Sequence, residues 1–418
     1  MISQVFPIEK IRSRFPSLER NIGKRKAVFF DGPGGSQVPT SVTSAMNEYL
    51  LRNNANTGMS FATSLETDEV ISETLRACAD FIGCEDHREV VFGQNMTSLN
   101  FQLAGALSRT WGEDDEVVVT RLDHDGNVGP WALAAEWSGA KLRKIGINPE
   151  DCTLNMESAN EVIGERTVLV AVGAASNLSG TINDVKKIVE IAHSFGAEVV
   201  VDAVHLAPHS LVDVSNLGCD FLLCSPYKFF GPHQGILWGK KERLEDLPVA
   251  KLRVATEELP FRWMTGTQSH EGMAGTKAAI EHIAWIGREV SGNPELSRRD
   301  ALISAFGAIE EYEQKLCLRM LEGLGAIEKL KIWGISEPNR ISERAPTVSF
   351  THPSMSAKEI AERLAEKGIF VWAGNFYALE LTEALGLEPE GVVRAGVLHY
   401  NSMEEVDFFI EAVASVLS

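Results

Sequence analysis

Two residues capable of carbonyl chemistry stand directly after strand-like runs. Asp202 ends the run EVVVD, and Lys228 follows FLLCSPY. Because ligands of open parallel sheets bind beyond the carboxyl ends of the strands, both side chains should project into one crevice. An amine there can condense with an aldehyde, and a carboxylate beside it can keep a ring nitrogen protonated. Taken singly, each residue has an ordinary alternative, a strand-end aspartate or a surface lysine.

The segments around these residues favour a phosphate ligand. SPYKFFGPHQG offers the hydroxyls of Ser225 and Tyr227 together with glycines that permit tight turns. FGQNMTSLN runs from a strand into a helix start, where backbone N–H groups and the Thr97 hydroxyl suit a phosphate. DGPGGSQ resembles a nucleotide loop only superficially, and no G-K-[ST] signature is present. Amine, carboxylate and phosphate site together predict pyridoxal 5′-phosphate (PLP), bound to Lys228 as a Schiff base.

Strand-like runs alternate with helical stretches between about residues 60 and 245. Apolar residues on consecutive strand positions indicate a sheet covered on both faces. One predicted helix spans 183–194, with Asn183 as its N-cap. We therefore predict an α/β fold: a large PLP-binding domain with a mostly parallel sheet, and a smaller α+β C-terminal domain. The clearest predicted strands are Glu116–Thr120, Thr167–Gly173, Glu198–Ala203, Phe221–Ser225 and Gly235–Gly239.

The last third of the chain changes character. A long helical stretch near Arg298–Leu324 should join the two halves. Capping-box patterns open two helices, one at Ser356 with Glu359 and one at Ser402 with Glu405. The remaining predicted elements there are a helix over Ala357–Lys367 and strands over Ile369–Trp372 and Val392–Val397. The predicted domain boundaries are 1–25 for an N-terminal segment that packs with the small domain, 26–290 for the large domain and 291–418 for the small one.

Composition narrows the function classes. A formal net charge of −19 over 418 residues disfavours nucleic acid as a partner. No window approaches the roughly 18 apolar residues of a membrane helix, and the N-terminus lacks a continuous apolar signal region, so we expect a cytoplasmic protein without membrane contact. Scattered cysteines without a C-x-x-C pair argue against a metal site and disulfides. The six are Cys78, Cys84, Cys152, Cys219, Cys224 and Cys317.

Several motifs resemble those of one enzyme family. SPYKFFGPHQG, VDAVH and AASNLSG are similar to the lysine, aspartate and asparagine motifs of fold-type I PLP enzymes of aminotransferase class V. Within that class, the cysteine desulfurase and selenocysteine lyase group is the most similar. The resemblance runs from DGPGGSQVP to VVRAGVLHYN, with the motifs in the family's order. It implies a sheet of the seven-stranded type in the large PLP-binding domain, an enzyme acting on a small amino acid, and a homodimer with shared active sites.

The resemblance also implies a role for each matching residue. Lys228 would be the Schiff-base lysine and Asp202 the partner of the pyridine nitrogen, with His124 stacking on the ring and assisting proton transfer. Asn177 would lie near the substrate carboxylate and the 3′-oxygen of the cofactor, which His205 would contact. Thr267 would reach the phosphate bound by the neighbouring subunit. The phosphate-binding positions are occupied by Asn95, Met96, Thr97, Ser225 and Tyr227.

The substrate side matches the family only in part. Arg394 matches the arginine that clamps the substrate α-carboxylate, a task that suits a bidentate guanidinium. The mobile-loop pattern R-x-G-H-H-C-A reads WAGNFYA here, with Tyr377 at the cysteine position. A phenol cannot accept sulfur as a persulfide. We expect Asn375 and Tyr377 to contact substrate; the alternative is a loop that only packs against the small domain.

These features leave the reaction type open. We expect a C–S or β-lyase reaction on a cysteine-like amino acid, with the product released to solvent. An aminotransferase is the alternative, for which Arg253, Arg262 and Arg288 are the candidates for a second carboxylate site. A second alternative is a non-catalytic PLP-binding protein derived from a desulfurase. The acid, base and carboxylate-binding residues argue against that last alternative.

Overall fold

The computed structural model describes residues 6–418 of the chain. Residues 1–5 of the predicted N-terminal segment lie outside the described residues. Helices and strands alternate through the first two thirds of the chain, as the sequence predicts. The helices are α1 (Ile8–Arg12), α2 (Thr40–Glu48), α3 (Ala62–Ile82), α4 (Met96–Leu107), α5 (Gly129–Ser138), α6 (Met156–Val162), α7 (Val185–Ser194), α8 (Val214–Leu217), α9 (Lys241–Asp246), α10 (His270–Ser291), α11 (Arg298–Gly325), α12 (Ala357–Glu366), α13 (Leu379–Ala384) and α14 (Met403–Leu417).

The strands form two principal sheets and three short pairs. They are β1 (Asn21–Ile22), β2 (Arg25–Lys26), β3 (Val28–Phe29), β4 (Val90–Gly93), β5 (Glu116–Thr120), β6 (Lys141–Ile145), β7 (Ile147–Asn148), β8 (Thr153–Leu154), β9 (Thr167–Gly173), β10 (Glu198–Asp202), β11 (Phe221–Cys224), β12 (Gly235–Gly239), β13 (Lys331–Trp333), β14 (Thr347–Thr351), β15 (Ile369–Phe370), β16 (Trp372–Gly374) and β17 (Val392–Gly396).

The large sheet has seven strands in the order β4-β12-β11-β10-β9-β5-β6. Strands β5, β6, β9, β10 and β11 run parallel, and β12 runs antiparallel to both of its neighbours. Apolar side chains on consecutive positions of β5 and β10 are fully buried, because helices cover both faces. The predicted α/β fold with a mostly parallel sheet is confirmed. Its parallel strands end at one edge, and β10 brings Asp202 there opposite Gly173 of β9.

A second sheet of four strands, in the order β13-β14-β17-β16, belongs to the C-terminal part. Its core includes Val348, Phe350 and Val393 together with Leu316 of α11 and Phe409 of α14. The pair β3–β15 couples the N-terminal part of the chain to this unit, since Val28 is opposite Ile369. The predicted domain boundaries are not set by these contacts and stay a prediction.

Two details differ from the sequence-based prediction. The N-cap of α7 is Asp184, whose side chain accepts the Lys187 N–H, whereas Asn183 donates its amide to the Gly173 carbonyl at 2.7 Å. The predicted strand Ile369–Trp372 is divided between two pairings, because β15 joins β3 and β16 joins β17.

The two predicted capping boxes also differ from each other. At the start of α14, the Ser402 side chain accepts the Glu405 N–H while the Glu405 carboxylate accepts the Ser402 N–H. At the start of α12, the structure has only the bond from the Glu359 N–H to the Ser356 hydroxyl, at 3.2 Å. Within residues 6–418, no helix combines the length and the apolar character needed to cross a membrane.

Candidate active site

A cavity of about 280 Å³ opens at the edge where the parallel strands end. The segments following β5, β9, β10 and β11 each deliver side chains to it, as the parallel topology requires. Loops from both ends of the chain complete the wall. The residues that line it are Pro33, Gly34, Asn95, Met96, Thr97, Asp123, His124, Gly173, Ala175, Asn177, Asp202, Val204, His205, Ser225, Tyr227, Lys228, Trp372, Phe376, Tyr377 and Arg394.

Lys228 is the central amine of this cavity. Its Nζ donates a hydrogen bond to the Pro33 carbonyl and lies 5.0 Å from the centre of the Tyr227 ring. Burial lowers the pKa of Lys228 to about 7, with the positive charge of Arg394 acting in the same direction and Asp202 opposing it. Because a large fraction of the amine is neutral near pH 7, it is available as a nucleophile or a base.

Asp202 supplies a buried carboxylate at the same edge. Its Oδ1 accepts the backbone N–H of Val204 at 2.9 Å, and no side-chain donor among the described residues reaches Oδ2. Burial raises the pKa of Asp202 to about 6, opposed by the Val204 N–H and by Lys228. This carboxyl group therefore titrates close to neutrality and can share a proton with a basic ring nitrogen.

His124 is held in one neutral tautomer. Its Nδ1 accepts the backbone N–H of Gly126 at 2.9 Å, so the ring proton resides on Nε2. Burial lowers the pKa of His124 to about 4, and the charges of Lys228 and Arg394 act in the same direction. The ring lines the cavity as an N–H donor with an uncharged face, which suits stacking on a flat heterocycle.

His205 is the second neutral imidazole in the wall. Its Nε2 lies 3.0 Å from the Thr347 hydroxyl, so the small sheet fixes the orientation of the ring. Burial lowers the pKa of His205 well below its usual range.

The start of α4 forms a cradle whose free N–H groups suit a phosphate. Asn95 caps this helix, its Oδ1 accepting the Ser98 N–H at 2.8 Å, which leaves the Met96 and Thr97 N–H groups without a helical acceptor. Gly235 permits the close approach of β12, because a Cβ there would lie 2.3 Å from the Asn95 carbonyl carbon. Ser225 and Tyr227 line the same cavity.

Arg394 is a buried guanidinium whose charge has no carboxylate partner among the described residues. One of its terminal nitrogens donates to the Asn177 carbonyl at 2.8 Å, and its plane lies 3.9 Å from the centre of the Phe376 ring. Its Nε and the Asn177 Oδ1 are both buried without a hydrogen-bond partner in the described chain. Burial lowers the pKa of Arg394 to about 9. An unpaired buried cation is costly, so this arrangement favours an anionic ligand.

Strand β16 and the loop that follows it form the mouth of the cavity. The Asn177 side-chain amide donates to the Phe376 carbonyl at 2.9 Å, and the Asp125 N–H donates to the Tyr377 carbonyl at 2.6 Å. The Tyr377 ring centre lies 5.4 Å from that of His124. Trp372 donates its ring N–H to the Asp31 carbonyl at 3.2 Å. The mouth is therefore aromatic and is held by hydrogen bonds to the walls.

Two predicted site residues do not line this cavity. Thr267 borders a separate cavity of about 650 Å³, together with Gly93, Gln94 and Ser98. Asn375 donates to the Glu388 carboxylate at 3.0 Å and accepts the Tyr377 N–H at 3.2 Å, so it holds the mouth loop from behind.

The arginines proposed for a second carboxylate site also lie elsewhere. Arg262 donates to the Glu245 and Leu247 carbonyls, Arg288 pairs with Glu281, and Arg253 is exposed. None of the three lines the cavity described above.

Sequence reasoning missed some residues of the wall. Asp123 accepts the Gly173 N–H at 2.8 Å and the Asn127 amide at 3.1 Å, and burial raises its pKa to about 7. The position of Asp123 next to the predicted residue His124 was the sequence feature that could have indicated it. Pro33 and Gly34 come from DGPGGSQ, which is no nucleotide loop yet supplies the carbonyl that accepts the Lys228 amine.

These residues fit pyridoxal phosphate. The cavity contains an amine that is partly neutral near pH 7, a buried carboxyl group, and a helix N-terminus with free N–H groups. The unpartnered Asn177 Oδ1 provides a further polar atom for the cofactor or its substrate. Lys228, Asp202 and the Asn95–Thr97 segment would hold the aldehyde carbon, the ring nitrogen and the phosphate, respectively.

Comparisons with known proteins agree with this fit. The family model for aminotransferase class V matches residues 28–409. The chain is 34% identical over 430 residues to the aminotransferase-like protein FGM3 of Gibberella zeae, covering 100% of both chains. It is 32% identical over 415 residues to a probable cysteine desulfurase of Halalkalibacterium halodurans, covering 95% of each. The apo structure of cysteine desulfurase from Thermococcus onnurineus superimposes with a TM-score of 0.87 at 29% identity, covering 100% of this chain and 99% of that one.

A family match over most of the chain, supported by relatives matched along their whole length, settles the assignment. The chain belongs to the aminotransferase class V family and is a PLP-dependent enzyme of the lyase or transferase type.

Proposed function

We propose that this enzyme is a carbon–sulfur lyase that eliminates the β-sulfur substituent of a cysteine-type amino acid and releases the thiol to solvent. The main support for this proposal is that the described residues offer no sulfur acceptor at the cavity. Tyr377 stands at the mouth where the desulfurase pattern has its cysteine, and no cysteine lines the cavity in residues 6–418.

The cysteines elsewhere in the chain offer no substitute. All six are buried and unpaired, and burial raises the pKa of every one of these thiols. A buried thiol with a raised pKa is a poor nucleophile. Sulfur leaving the substrate therefore has no acceptor on the described chain. Free thiols throughout the chain also support the predicted cytoplasmic location.

The substrate should be a small amino acid with one carboxylate. Arg394 is the single guanidinium in the cavity wall of the described chain, and it suits a bidentate carboxylate. A volume of about 280 Å³ lies just below the roughly 300–1,000 Å³ range of ligand pockets, and the cofactor must share it. The positions of Arg253, Arg262 and Arg288 count against a dicarboxylate-specific aminotransferase.

The chain's own residues supply binding and proton transfer. PLP, when bound, provides the electron sink that makes the Cα–H bond of an amino acid acidic. The Lys228 amine can take the Cα proton, since its lowered pKa leaves it partly neutral near pH 7. Arg394 holds the carboxylate, and Asp202 holds a proton at the ring nitrogen. His124 presents its Nε2–H toward the cavity.

The proposed reaction is balanced without an oxidant or a reductant. The proton on Cα is removed, its electron pair forms the Cα–Cβ double bond, and the Cβ–S pair leaves with sulfur, which takes up a proton. The thiol and 2-aminoacrylate are the immediate products. Water then hydrolyses 2-aminoacrylate to pyruvate and ammonium.

The test is an assay of the holoenzyme with cysteine and S-substituted cysteines, without any added keto acid or thiol acceptor. We expect pyruvate and free thiol in equal amounts, no persulfide on the protein by mass spectrometry, and no pyruvate from Lys228→Ala. Conversion of the cofactor to its amine form without pyruvate would instead establish the aminotransferase alternative. No spectral change with any amino acid would favour the non-catalytic one.

A further inference from the structure

We propose that the amino acid held in the cavity carries an apolar substituent on sulfur, preferably one with an aromatic ring, and that this substituent lies at the mouth against Trp372 and Tyr377. This inference rests on the proposed lyase function, whose substrate class it specifies. It is based on the aromatic mouth, defined here as the rings of Trp372, Phe376 and Tyr377.

The aromatic mouth exposes ring surface that the packing of its own chain does not cover. Trp372 is 48% exposed and Tyr377 is 71% exposed, although both line the cavity. Phe376 differs, because its ring packs on the Arg394 guanidinium and is explained by that contact. Two large exposed rings beside one cavity indicate a binding surface, because a ligand that covers them removes their apolar area from water.

The backbone holds these rings in place at a conformational cost. Phe376 and Tyr377 have φ values of +56° and +59°, in the left-handed region that side chains other than glycine rarely adopt. Hydrogen bonds from Asn177 and Asp125 to their carbonyls maintain this conformation. Strained backbone that the surroundings hold in place is typical of ligand-binding positions.

Trp372 is fixed independently of its neighbours. Its ring nitrogen donates to the Asp31 carbonyl, and the ring lies so close to Gly34 that a Cβ there would be 2.3 Å from that nitrogen. The indole is therefore an ordered surface at the mouth, ready to contact a ligand without rearrangement.

The mouth adjoins the position of the reacting carbon. A substrate carboxylate paired with Arg394 lies next to Phe376, and the Tyr377 ring is 5.4 Å from His124, centre to centre. The substituent of the bound amino acid is then within reach of the two exposed rings. The charged residues of the wall are Lys228, Arg394, Asp202 and Asp123, and the three mouth residues carry no charge. A negatively charged substituent would find no cation among the three mouth residues, whereas an apolar one removes ring surface from water.

The covalent chemistry is unchanged by this choice. An S-aryl or S-alkyl cysteine and one water give the corresponding thiol, pyruvate and ammonium. The sulfur atom leaves with the Cβ–S electron pair and takes up a proton, so the aryl or alkyl group departs as a neutral thiol.

The kinetic test compares cysteine, S-benzylcysteine and S-carboxymethylcysteine by pyruvate formation. We expect kcat/KM for S-benzylcysteine to exceed that for the other two by about ten-fold or more. Trp372→Ala and Tyr377→Ala should abolish this preference, measured within each variant as the ratio of kcat/KM for S-benzylcysteine to kcat/KM for cysteine. Tyr377→Phe should retain it. Phe195→Ala removes an exposed ring that does not line the cavity and serves as the control.

A binding test separates this inference from the lyase proposal. Homophenylalanine and 2-aminobutanoate lack a leaving group and differ by one phenyl ring, so their dissociation constants report the mouth alone. From absorbance titrations of the holoenzyme, we expect homophenylalanine to bind about ten-fold more tightly, with the difference lost in Trp372→Ala. Equal binding of the two analogues together with equal kcat/KM across the series would overturn the inference. Absence of pyruvate from every substrate, with the binding preference intact, would overturn the lyase function alone.

Discussion

Burial sets the charge of the side chains around the cavity before any ligand binds. It lowers the pKa of Lys228 to about 7 and that of His124 to about 4, and it raises the pKa of Asp202 to about 6. In each case, the low polarity of the surroundings disfavours the charged form of the side chain. The cavity is therefore prepared with a reactive amine, a neutral imidazole and a carboxyl group that can hold a proton.

The lowered pKa of Lys228 predicts how cofactor uptake depends on pH. Only the neutral amine condenses with an aldehyde, so the rate at which the cofactor-free protein takes up PLP should rise through a midpoint near pH 7. Visible absorbance follows the reaction, and N-acetyl-lysine methyl ester corrects for the ionisation of PLP itself. Arg394→Gln removes a charge that lowers this pKa, so its midpoint should move upward. A wild-type midpoint at the ordinary lysine value of about 10.4 would contradict the assignment.

The lowered pKa of Lys228 also means that this residue reduces the free energy of unfolding at low pH. Because the pKa in the folded state is about 7 and that in the unfolded state about 10.4, the folded protein binds fewer protons between these values and gains stability as pH rises. The destabilisation by Lys228 reaches its full size below pH 7. We expect cofactor-free Lys228→Met to have a higher Tm than the wild type at pH 6, with the difference shrinking toward pH 10. Thermal unfolding at both pH values decides it, and a less stable variant at pH 6 would count against the burial argument.

The shape of the cradle at the start of α4 depends on how closely β12 approaches this helix. A Cβ on Gly235 would lie 2.3 Å from the Asn95 carbonyl carbon and 2.7 Å from the Met96 nitrogen. Gly235→Ala should displace the start of α4 and weaken PLP binding by about ten-fold or more, measured by absorbance titration.

The matched control for that substitution lies within α4 itself. Gly105 has open space around the position of a Cβ, so Gly105→Ala should leave PLP affinity unchanged and stabilise the helix by about 0.5–1 kcal/mol. If both variants bound PLP equally well, the close approach of β12 would not matter to the cradle.

The elements also show what the sequence can and cannot predict. Asp202 and Lys228 were predictable, because residues after buried parallel strands meet at one edge. The N-cap of α7 was not, since Asn183 and Asp184 are adjacent and have similar capping preferences. Neither was the division of Ile369–Trp372, because a strand's partner is set by tertiary packing. The contact of Trp372 with Asp31 joins positions far apart in the chain and depends on the same packing.

The cavity is assembled from both sheets. The large sheet supplies Asp202 and Lys228, and β17 of the small sheet supplies Arg394. The Ser349 hydroxyl of β14 donates to the Leu178 carbonyl at 2.6 Å, which ties the small sheet to the loop that carries Asn177. The distance between the Lys228 amine and the Arg394 guanidinium is therefore fixed by the packing of the two units against each other.

The position of Thr267 bears on whether a second chain contributes to the active site. It lies outside the cavity of its own chain, so its predicted contact with a phosphate requires a neighbouring subunit. The segment before it exposes large apolar side chains, including Leu252 and Val254, the latter 92% exposed. We expect sedimentation to give twice the chain mass of 45.8 kDa. Val254→Asp should weaken this association and, with it, PLP binding.

A hybrid dimer tests whether the sites are shared. Thr267→Ala should weaken PLP binding, and Lys228→Ala should abolish its covalent attachment, so each variant alone is impaired. In a mixed dimer, the Lys228 of one chain would meet the Thr267 of the other, which restores one intact site. Random exchange of subunits places about one quarter of all sites in this condition. We expect activity at limiting PLP to recover to about that fraction of the wild type. If hybrids verified by mass spectrometry recover nothing, Thr267 acts within its own chain or not at all, since only a site built from two chains can be repaired by mixing.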